Sequence, residues 1–249
     1  MESVFSQEPI KVLTYNTQNA KKPGLFDFNG DGAKNKKIAT IFTNSGADII
    51  ALQECTDNGA AADIMGRMTN KNSFEVISYN GIGPALIYNK EVFNCLEYGN
   101  WLLAEKGNED NGEYQRNAIY AKLQRKADGA IIVAVATHFD YINERANAQV
   151  ATLISKLNES FPGVRTVIMG DYNVYGSNGV FTKLGNAGYS NTQSIADTKV
   201  NGDAATFESK GQVLDYIYAK GFKVTKHEIV IPSDNPSDHR PVYAELVIG

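Results

Sequence analysis

Two uninterrupted apolar runs constrain the fold more than any other feature of this sequence. They read "AIIVAVATHF", from Ala130 to Phe139, and "RTVIMG", from Arg165 to Gly170. Runs of this kind are expected for strands that are buried on both faces, because a strand with one wet face alternates apolar and polar residues. The chain must therefore supply other layers that cover a sheet from two sides.

The remaining strand-like and helical segments supply those layers. Short runs rich in Val, Ile and Tyr, bounded by Gly, Asn, Asp or Pro, are typical of strands; they are "IKVLTYN", "ADIIALQE", "FEVISY", "PALIYN", "AIYAKLQ", "VLDYIYA", "FKVTKHEIV" and "RPVYAELVI". Helical spacing or composition marks "NKKIATIFTNSG", "AADIMGRMTN", "ERANAQVATLISKLNES" and "NGVFTKLGNAG". Because strands and helices do not alternate strictly, the pattern favours a four-layer α/β sandwich, with two packed mixed β-sheets and helices on the outer faces. We expect one domain over residues 1–249, with residues 1–9 as a flexible N-terminal segment.

Charge and hydropathy narrow the classes of partner. The formal net charge of −4 argues against a long basic groove for nucleic acid. It does not exclude a metal-dependent phosphodiesterase, because bound divalent cations supply positive charge at a phosphate. No apolar run approaches the roughly 18 residues that span a membrane, so no stable membrane insertion is expected. The compartment stays open: the chain reads as soluble, and secreted or periplasmic if a signal peptide has been removed.

The two cysteines, Cys55 and Cys95, are too few for a disulfide framework and lack the C-x-x-C spacing of a zinc or redox site. We expect both to be buried, small apolar side chains. A single disulfide between them stays open at this stage.

Polar side chains fall where predicted strands end, which is where α/β scaffolds usually carry functional groups. An ordinary turn explains each one alone, but six such coincidences in one chain are harder to explain as turns. Asp215 stands inside the apolar run "VLDYIYA", where an unpaired carboxylate is costly to bury, so it needs a partner such as histidine. The others are Asn16, Gln53, Glu54, His138, Asp140, Asp171 and Asn173, with Asp238 and His239 at the start of the last strand.

In chain order, the motifs "LTYN", "DIIALQE", "THFD", "GDYN", "LDYIY" and "SDHRPV" resemble the metal-dependent endonuclease/exonuclease/phosphatase superfamily, the deoxyribonuclease-like phosphoesterases. The resemblance covers nearly the whole chain, and "GDYN" together with "SDHRPV" is its specific part. It implies a hydrolase that acts on phosphoric ester bonds by in-line attack of water, with Mg²⁺ or Mn²⁺ as cofactor.

The resemblance also implies where the metal binds. Glu54 matches the metal-binding glutamate of the superfamily, and Asp238 matches a ligand on the same side of the site. Asn16 matches a group beside them. A hard cation such as Mg²⁺ favours one or two carboxylates, with water and substrate phosphate oxygens completing its shell. Arg116 aligns with an arginine that lies before a strand in many members and could touch phosphate, although a surface arginine is the ordinary alternative.

The same resemblance assigns roles around the scissile phosphate. Asp171 matches the residue that positions or deprotonates the attacking water, and Asn173 would donate an amide N–H to a phosphoryl oxygen. His239 would contact the phosphate, with Asp215 holding its tautomer and favouring its imidazolium form. His138 matches the second histidine of the nuclease and sphingomyelinase branches, where it acts on the leaving side. The third histidine, His227, matches no motif and is expected to be structural or exposed.

The substrate stays open at this stage, because a fold does not determine it. A phosphodiester is our first interpretation, from nucleic acid or from a small or lipid phosphodiester. The alternatives are a phosphomonoesterase for sugar or inositol phosphates and a catalytically silent phosphate-binding protein, which the intact residue set disfavours. We expect a monomer.

Two further features lie between the first two motifs. The lysines form a candidate phosphate-binding patch, or simply a solvated helix start; they are Lys21, Lys22, Lys34, Lys36 and Lys37, near Phe26 and Phe28. The stretch "DFNGDG", Asp27 to Gly32, resembles half of a calcium loop and suggests Ca²⁺ as a secondary structural ion. Ile38 stands where such a loop needs its glutamate, so a turn is the simpler interpretation.

Overall fold

The computed structural model describes residues 8–23, 31–55, 59–81, 83–106 and 115–248. Within them, seven strands form one mixed sheet, sheet A. Their spatial order is β10 (Thr198–Val200), β12 (Phe222–Ile229), β13 (Val242–Ile248), β1 (Ile10–Asn16), β2 (Ile49–Gln53), β4 (Ala85–Asn89) and β3 (Phe74–Ile77). The pairs β1–β2 and β10–β12 are parallel, and the remaining neighbours are antiparallel.

A second mixed sheet, sheet B, contains six strands in the described part of the chain. Their spatial order is β5 (Phe93–Ala104), β6 (Arg116–Arg125), β7 (Ile131–His138), β8 (Arg165–Asp171), β11 (Asp215–Lys220) and β9 (Ser190–Asn191). Only β7 and β8 pair in parallel among the described strands of this sheet. These two strands carry the two continuously apolar runs.

Helices cover the outer faces of both sheets. The five α-helices of the described residues are α1 (Asp31–Ser45), α2 (Ala60–Gly66), α3 (Asn143–Ser160), α4 (Gly179–Asn186) and the short α5 (Thr192–Ile195). Helices α1 and α2 share an apolar cluster with the outer face of sheet A, while α3 and α4 share one with sheet B. A third cluster lies between the sheets. The predicted four-layer sandwich is therefore confirmed.

Strand β7 shows why its sequence lacks a polar face. Ile132, Ala134 and Ala136 point into the cluster between the sheets, whereas Val133 and Val135 point into the cluster beneath α3. Side chains alternate between the two faces of a strand, so both sets are buried only when a sheet is covered on both sides.

Strand register brings the strand-end residues to one end of the sandwich. His138 lies opposite Asp171 across the β7–β8 pair, and Asp171 lies opposite Asp215 across β8–β11. Gly170 keeps β7 and β8 close, because a Cβ at that position would lie 2.0 Å from the backbone oxygen of Thr137. The glycine before Asp171 is thus a packing requirement of the parallel pair.

Several expectations from sequence need correction. Strand β5 was not predicted, because two register irregularities interrupt its alternation against β6. Cys55 is buried as expected, but Cys95 is only half-buried, and both are free thiols.

Residues 1–7 and 24–30 lie outside the described residues, including Phe26, Phe28 and most of the "DFNGDG" stretch; Asp31 and Gly32 begin α1. Among the described helices, none has the length and apolar character to cross a membrane.

Candidate active site

Asn16, the last residue of β1, joins carboxylates from the two sheets. Its side-chain Nδ2 donates to Glu54 Oε1 at 3.0 Å and to Asp171 Oδ2 at 2.9 Å. Glu54 directly follows β2 of sheet A, and Asp171 ends β8 of sheet B. Both N–H groups of one buried amide therefore set the spacing between two acidic groups that lie 117 positions apart in the sequence.

The backbone around Glu54 is strained. Glu54 has φ 59°, and Gln18 and Asn19 in the facing loop have φ 49° and 56°. Non-glycine residues rarely adopt positive φ, and such residues persist where surrounding contacts hold them. Here the Asn19 N–H donates to Glu54 Oε2 at 3.0 Å, and the Gln18 N–H donates to Asn16 Oδ1 at 2.9 Å. The strained loop thus orients the Glu54 carboxylate.

His239 pairs with Asp215, which lies 24 positions earlier, and not with its sequence neighbour Asp238. Its Nδ1 lies 2.8 Å from Asp215 Oδ2, so the predicted pairing is confirmed. The hydroxyl of Ser237 accepts from the His239 backbone N–H at 3.2 Å and donates to the Asn16 carbonyl at 2.7 Å. The final turn is thereby attached to the end of β1.

The electrostatic surroundings of His239 favour its imidazolium form. Burial lowers the pKa of the imidazole, but the negative charges of Asp215, Asp171 and Asp238 and the hydrogen bond to Asp215 outweigh burial and raise the pKa to about 9. A protonated His239 carries a hydrogen on each ring nitrogen. With Nδ1 donating to Asp215, Nε2–H faces Asp171 Oδ2 at 3.8 Å.

At the Asp171 carboxyl, the effects that favour the neutral form outweigh those that favour the charged form. Burial and the nearby charge of Asp215 raise its pKa to about 7, although His239, the Asn16 side chain and the Asn173 backbone N–H all favour the ionised form. A carboxylate that titrates near neutrality can take a proton from water more readily than an ordinary aspartate. Burial thus makes the Asp171 carboxylate more basic than an ordinary aspartate.

His138 and Asn173 contact each other at the edge of this cluster. Burial, together with the charges of Arg116 and His239, holds the pKa of His138 well below its usual range, so its imidazole is neutral. Asn173 Nδ2 donates to His138 Nε2 at 2.8 Å and to the Phe139 carbonyl at 2.9 Å. Both N–H groups of Asn173 are thus engaged within the protein. The predicted donation to a phosphoryl oxygen requires the bond to His138 to open.

Arg116 lies behind His138, at the start of β6. Its side chain is buried, and its Nε lies 3.9 Å from Asp140 Oδ2. Asp140 is in turn held through its backbone N–H, which donates to Gln149 Oε1 of α3 at 2.8 Å. The structure therefore places Arg116 in a buried pair that adjoins the site, and its contact with phosphate stays a prediction.

Asp238 lies on the Glu54 side of the site, beside a lysine. The Lys34 Nζ donates to the Gln18 carbonyl at 2.6 Å. Burial lowers the pKa of Lys34, while the negative charges of Asp238, Asp31 and Glu54 oppose that shift. Because one ammonium interacts with both Asp238 and Glu54, the two acidic residues border the same region.

Two sets of residues in the described part of the chain can be tested as metal ligands. One oxygen or nitrogen from each of Asp171, Asp215 and His239 lies within 4.8 Å of the others. An ion that used His239 Nδ1 would break its hydrogen bond to Asp215. Glu54 and Asp238 are half-buried oxygen donors, and Asp238 follows Ser237, which bonds to the Asn16 carbonyl. Within the described residues, the Glu54 oxygens accept hydrogen bonds from two neutral groups, the Asn16 side chain and the Asn19 backbone. This second set fits a hard divalent cation better.

The His239–Asp215 pair predicts an alkaline loss of stability in the metal-free protein. The pKa of His239 rises from 6.5 to about 9 on folding. Between these pH values, the native state therefore holds a proton that the unfolded state has released. The contribution of this pair should be complete below pH 6.5 and disappear as the pH rises through 9. We expect the free energy of unfolding to fall by up to about 1.4 kcal/mol per pH unit across that window. Urea unfolding in the presence of EDTA, repeated at several pH values across the window, measures this free energy of unfolding.

His227 offers a matched control for this measurement. It is also buried, and burial lowers its pKa to about 4, so it titrates below the window. The His227→Asn variant should keep the wild-type slope, and His239→Asn should lose it. An unchanged slope in His239→Asn would contradict the assignment.

Some residues that shape the site were not predicted from sequence. Ser237 stands within "PSDHRP", but nothing in its type indicates a bond to the end of β1. Phe207 packs against the His239 ring, with centroids 4.9 Å apart. Thr206 accepts the backbone N–H of Asp215 at 3.1 Å. The sequence signal for the last two was the pair "TF" ahead of "LDYIY", which carries no charge and is easily taken for an ordinary loop.

Several solved structures share this fold. A conserved protein of unknown function from Enterococcus faecalis V583 superposes with a TM-score of 0.81 at 20% identity, covering 96% of this chain and 100% of that one. A mannosyl-6-phosphatase from Bacteroides thetaiotaomicron gives 0.79 at 20% identity, covering 96% and 100%. The human Nocturnin catalytic domain, with bound sulfate, gives 0.72 at 17% identity, covering 97% and 95%.

Sequence comparison identifies the family. Curated protein sequences gave no significant match. The model of the Endonuclease/Exonuclease/phosphatase family matches residues 13–239, which include every strand-end residue of the site. This chain therefore belongs to the endonuclease/exonuclease/phosphatase family.

Proposed function

We propose that this protein is a Mg²⁺- or Mn²⁺-dependent phosphodiesterase that hydrolyses its substrate by in-line attack of water. Members of the family are hydrolases that act on phosphoester bonds. The main support from the geometry is the approach of His239 Nε2 to Asp171 Oδ2 at 3.8 Å, with Asp215 holding His239 Nδ1 at 2.8 Å. Burial raises the pKa of the Asp171 carboxyl, and the charge of Asp215 raises the pKa of His239 against the effect of burial. At neutral pH one can accept a proton while the other carries positive charge.

Asp171 acts as the base in this proposal. Its Oδ1 accepts the Asn173 backbone N–H at 2.8 Å, and its Oδ2 accepts from Asn16. These bonds hold the carboxylate in one orientation, which limits the entropy lost when a water molecule binds against it. Asp171 takes the proton from that water as the new bond to phosphorus forms and the bond from phosphorus to the leaving oxygen breaks on the opposite side. The leaving oxygen departs as an alcohol after it takes up a proton from solvent.

His239 stabilises the phosphate in this proposal. Its Nε2–H is directed at the same region as Asp171 Oδ2, while Nδ1–H donates to Asp215. A fixed cation in a site from which water is largely excluded stabilises negative charge that develops on phosphoryl oxygens. Asp215 is a positioning residue, because it acts through His239.

Glu54 and Asp238, beside Asn16, would hold the divalent cation. When bound, such an ion neutralises charge on the phosphate and the leaving oxygen. The chain's own contribution is to orient the ligands: Asn16 and Asn19 each donate to one oxygen of Glu54. Lys34 supplies a further positive charge to the same side of the site.

His138, Asn173 and Arg116 complete the proposed site on the leaving side. His138 is neutral and accepts a hydrogen bond from Asn173. A substrate oxygen can therefore contact either side chain only after the hydrogen bond between His138 and Asn173 opens. Arg116 acts from behind the histidine, where its charge disfavours the imidazolium form of His138.

A phosphomonoesterase for sugar phosphates is the second candidate. It is favoured by the likeness to the Bacteroides mannosyl-6-phosphatase, whose fold matches over its whole length. The net charge of −4 also suits a small substrate better than a polyanion. A catalytically silent binding protein is disfavoured, because the predicted acidic, amide and histidine groups are all present and are hydrogen-bonded to one another.

A substrate panel with and without EDTA tests the proposal. It should contain plasmid DNA, abasic DNA, RNA, sphingomyelin, inositol phosphates, mannose 6-phosphate and bis-p-nitrophenyl phosphate. We expect hydrolysis of at least one phosphodiester with Mg²⁺ or Mn²⁺, and its loss in EDTA. Hydrolysis of monoesters alone would favour the second candidate, and no hydrolysis of any ester would contradict both.

Metal binding is tested separately by titration calorimetry. We expect Glu54→Gln to bind Mg²⁺ at least about tenfold more weakly than wild type, because a metal ligand is lost while the size of the side chain is kept. The control is Glu75→Gln, an exposed glutamate of β3 that pairs with Lys90. Equal Mg²⁺ affinity in Glu54→Gln and wild type would sink the assignment of Glu54.

A further inference from the structure

Two exposed tyrosines follow the strands that carry the site. Tyr141 lies three residues after His138 and is 59% exposed, and Tyr175 lies two residues after Asn173 and is 57% exposed. A chain spans at most about 3.6 Å per residue, so the Tyr141 Cα lies within about 11 Å of the His138 Cα, and the Tyr175 Cα within about 7 Å of the Asn173 Cα. Neither side chain has a role in the mechanism proposed above.

The two loops that carry these tyrosines are joined at the site. The Phe139 N–H donates to the Asp171 carbonyl at 3.0 Å, and Asn173 Nδ2 donates to the Phe139 carbonyl at 2.9 Å. Residues 139–142 and 172–178 therefore leave the site as neighbours.

The same loops are joined again beyond the tyrosines. Asn178 Nδ2 donates to Asn143 Oδ1 at 2.9 Å, and Asn147 Nδ2 donates to Asn178 Oδ1 at 3.2 Å. Asn178 Oδ1 also accepts the Val180 N–H, which caps α4. Because the loops are tied on both sides of Tyr141 and Tyr175, their backbones are held in place before any ligand arrives.

Each tyrosine also has a fixed local backbone. Asp140 is buried, and its Oδ1 accepts the Ile142 N–H at 2.9 Å, which brackets Tyr141. Tyr175 stands between buried Val174 and Gly176, whose φ is 66°. An exposed aromatic ring on a backbone held in this way loses little entropy on stacking, which suits it to ligand binding.

From this arrangement we infer that Tyr141 and Tyr175 form an aromatic rim that stacks against the ring of a small phosphate ester. The inference rests on the proposed function, because the phosphate of that ester must occupy the site beside Asp171 and His239. Tyrosine faces stack on nucleobases and on the C–H faces of sugars with the same apolar and π contacts. The rim thus selects a ring attached to phosphate.

The surroundings of the rim favour a small ester over a polymer. Its polar groups are mostly neutral amides bound to one another, those of Asn143, Asn147 and Asn178, and Lys183 donates to Asn147 Oδ1 at 2.9 Å. A nucleic-acid track needs a row of cations for successive phosphates, and the chain is acidic overall.

Steady-state kinetics on charge-matched esters tests the inference. The diester pair is glyceryl thymidine 5′-phosphate, which bears a nucleoside, and diglyceryl phosphate, which has the same charge and carries no ring. The monoester set is adenosine 5′-monophosphate, mannose 6-phosphate and glycerol 3-phosphate. The variants are Tyr141→Ala, Tyr175→Ala, the double alanine, the two phenylalanine replacements, and Tyr98→Ala as an exposed tyrosine of β5.

We expect the double alanine variant to raise KM about tenfold for ring-bearing esters, with kcat little changed and the ringless esters unaffected. Phenylalanine replacements and Tyr98→Ala should behave as wild type, because stacking needs the ring and not the hydroxyl. The KM changes for adenosine 5′-monophosphate and mannose 6-phosphate are then compared. The ester with the larger change identifies whether the rim binds a nucleobase or a sugar.

The outcomes separate the two proposals. If wild type hydrolyses the diester pair while the alanine variants leave every KM unchanged, or raise it equally for ringless esters, the rim is wrong and the proposed function stands. If wild type with Mg²⁺ or Mn²⁺ hydrolyses none of the esters, the proposed function fails and the inference fails with it.

Discussion

Replacing His239 with alanine is expected to lower kcat/KM for the cleaved ester by about 10²- to 10³-fold, the usual cost of removing one positioned donor to a developing oxyanion. The substitution removes the cation whose Nε2 lies 3.8 Å from Asp171 Oδ2, and it leaves Asp215 buried without its partner. Steady-state kinetics at saturating Mg²⁺ measures the loss. Circular dichroism establishes that the variant is folded.

Asp215→Asn separates the orientation of the imidazole from its presence. The asparagine keeps the size of the aspartate but removes the charge that raises the pKa of His239. We expect a substantial loss in this variant, and little additional loss when Asp215→Asn is added to His239→Ala, because the two residues act as a unit. His227→Asn is the matched control, since that buried histidine bonds to Thr192 away from the site. Wild-type activity in His239→Ala would contradict the proposed mechanism.

Replacing Asp171 with asparagine is expected to lower kcat by about 10²- to 10⁴-fold, the range that a positioned general base contributes. Asparagine keeps the size of the side chain, and it can preserve the contact to the Asn173 N–H through its oxygen. It cannot accept a proton from water at neutral pH. The loss should therefore fall on kcat, with KM changed much less.

Asp48→Asn is the control for this experiment. Asp48 is a half-buried carboxylate whose Oδ2 accepts the Lys11 N–H at 2.9 Å, and it precedes β2, at the opposite end of that strand from Glu54. The variant should keep wild-type kcat even if its stability falls. Equal kcat in Asp171→Asn and wild type would exclude Asp171 as the base.

Much of the fold follows from local patterns in the sequence. The apolar runs of β7 and β8 require cover on both faces, and the amphipathic spacing of α3 marks the stripe that provides it: Ala146, Val150, Leu153 and Leu157 are all buried. Strand β5 was missed for a physical reason. It is an edge strand with two register irregularities, so its exposed and buried residues do not alternate.

The types of residue in the site also follow from the sequence, because most of them stand where a strand ends or begins. Their protonation states do not follow. Asp171 and Asp215 are both aspartates at strand ends in "GDYN" and "LDYIY", yet burial and the charge of Asp215 raise the pKa of Asp171 to about 7. The engagement of both Asn173 N–H groups was likewise invisible in the sequence.

By itself the sequence determined the chemical groups, their order along the chain and the layers needed to bury the apolar strands, since these depend on composition and short-range periodicity. The tertiary structure alone decided which groups meet. Asn16 reaches Asp171 across 155 positions, and Ser237 bonds to the end of β1 across 221. In the "PSDHRP" turn, the acidic Asp238 stands next to His239 in the sequence. The register of the strands nevertheless brings the distant Asp215 to His239 as its buried partner. Distances, burial and pKa depend on how the two sheets pack, because local residue patterns carry no information about contacts between segments remote in the chain.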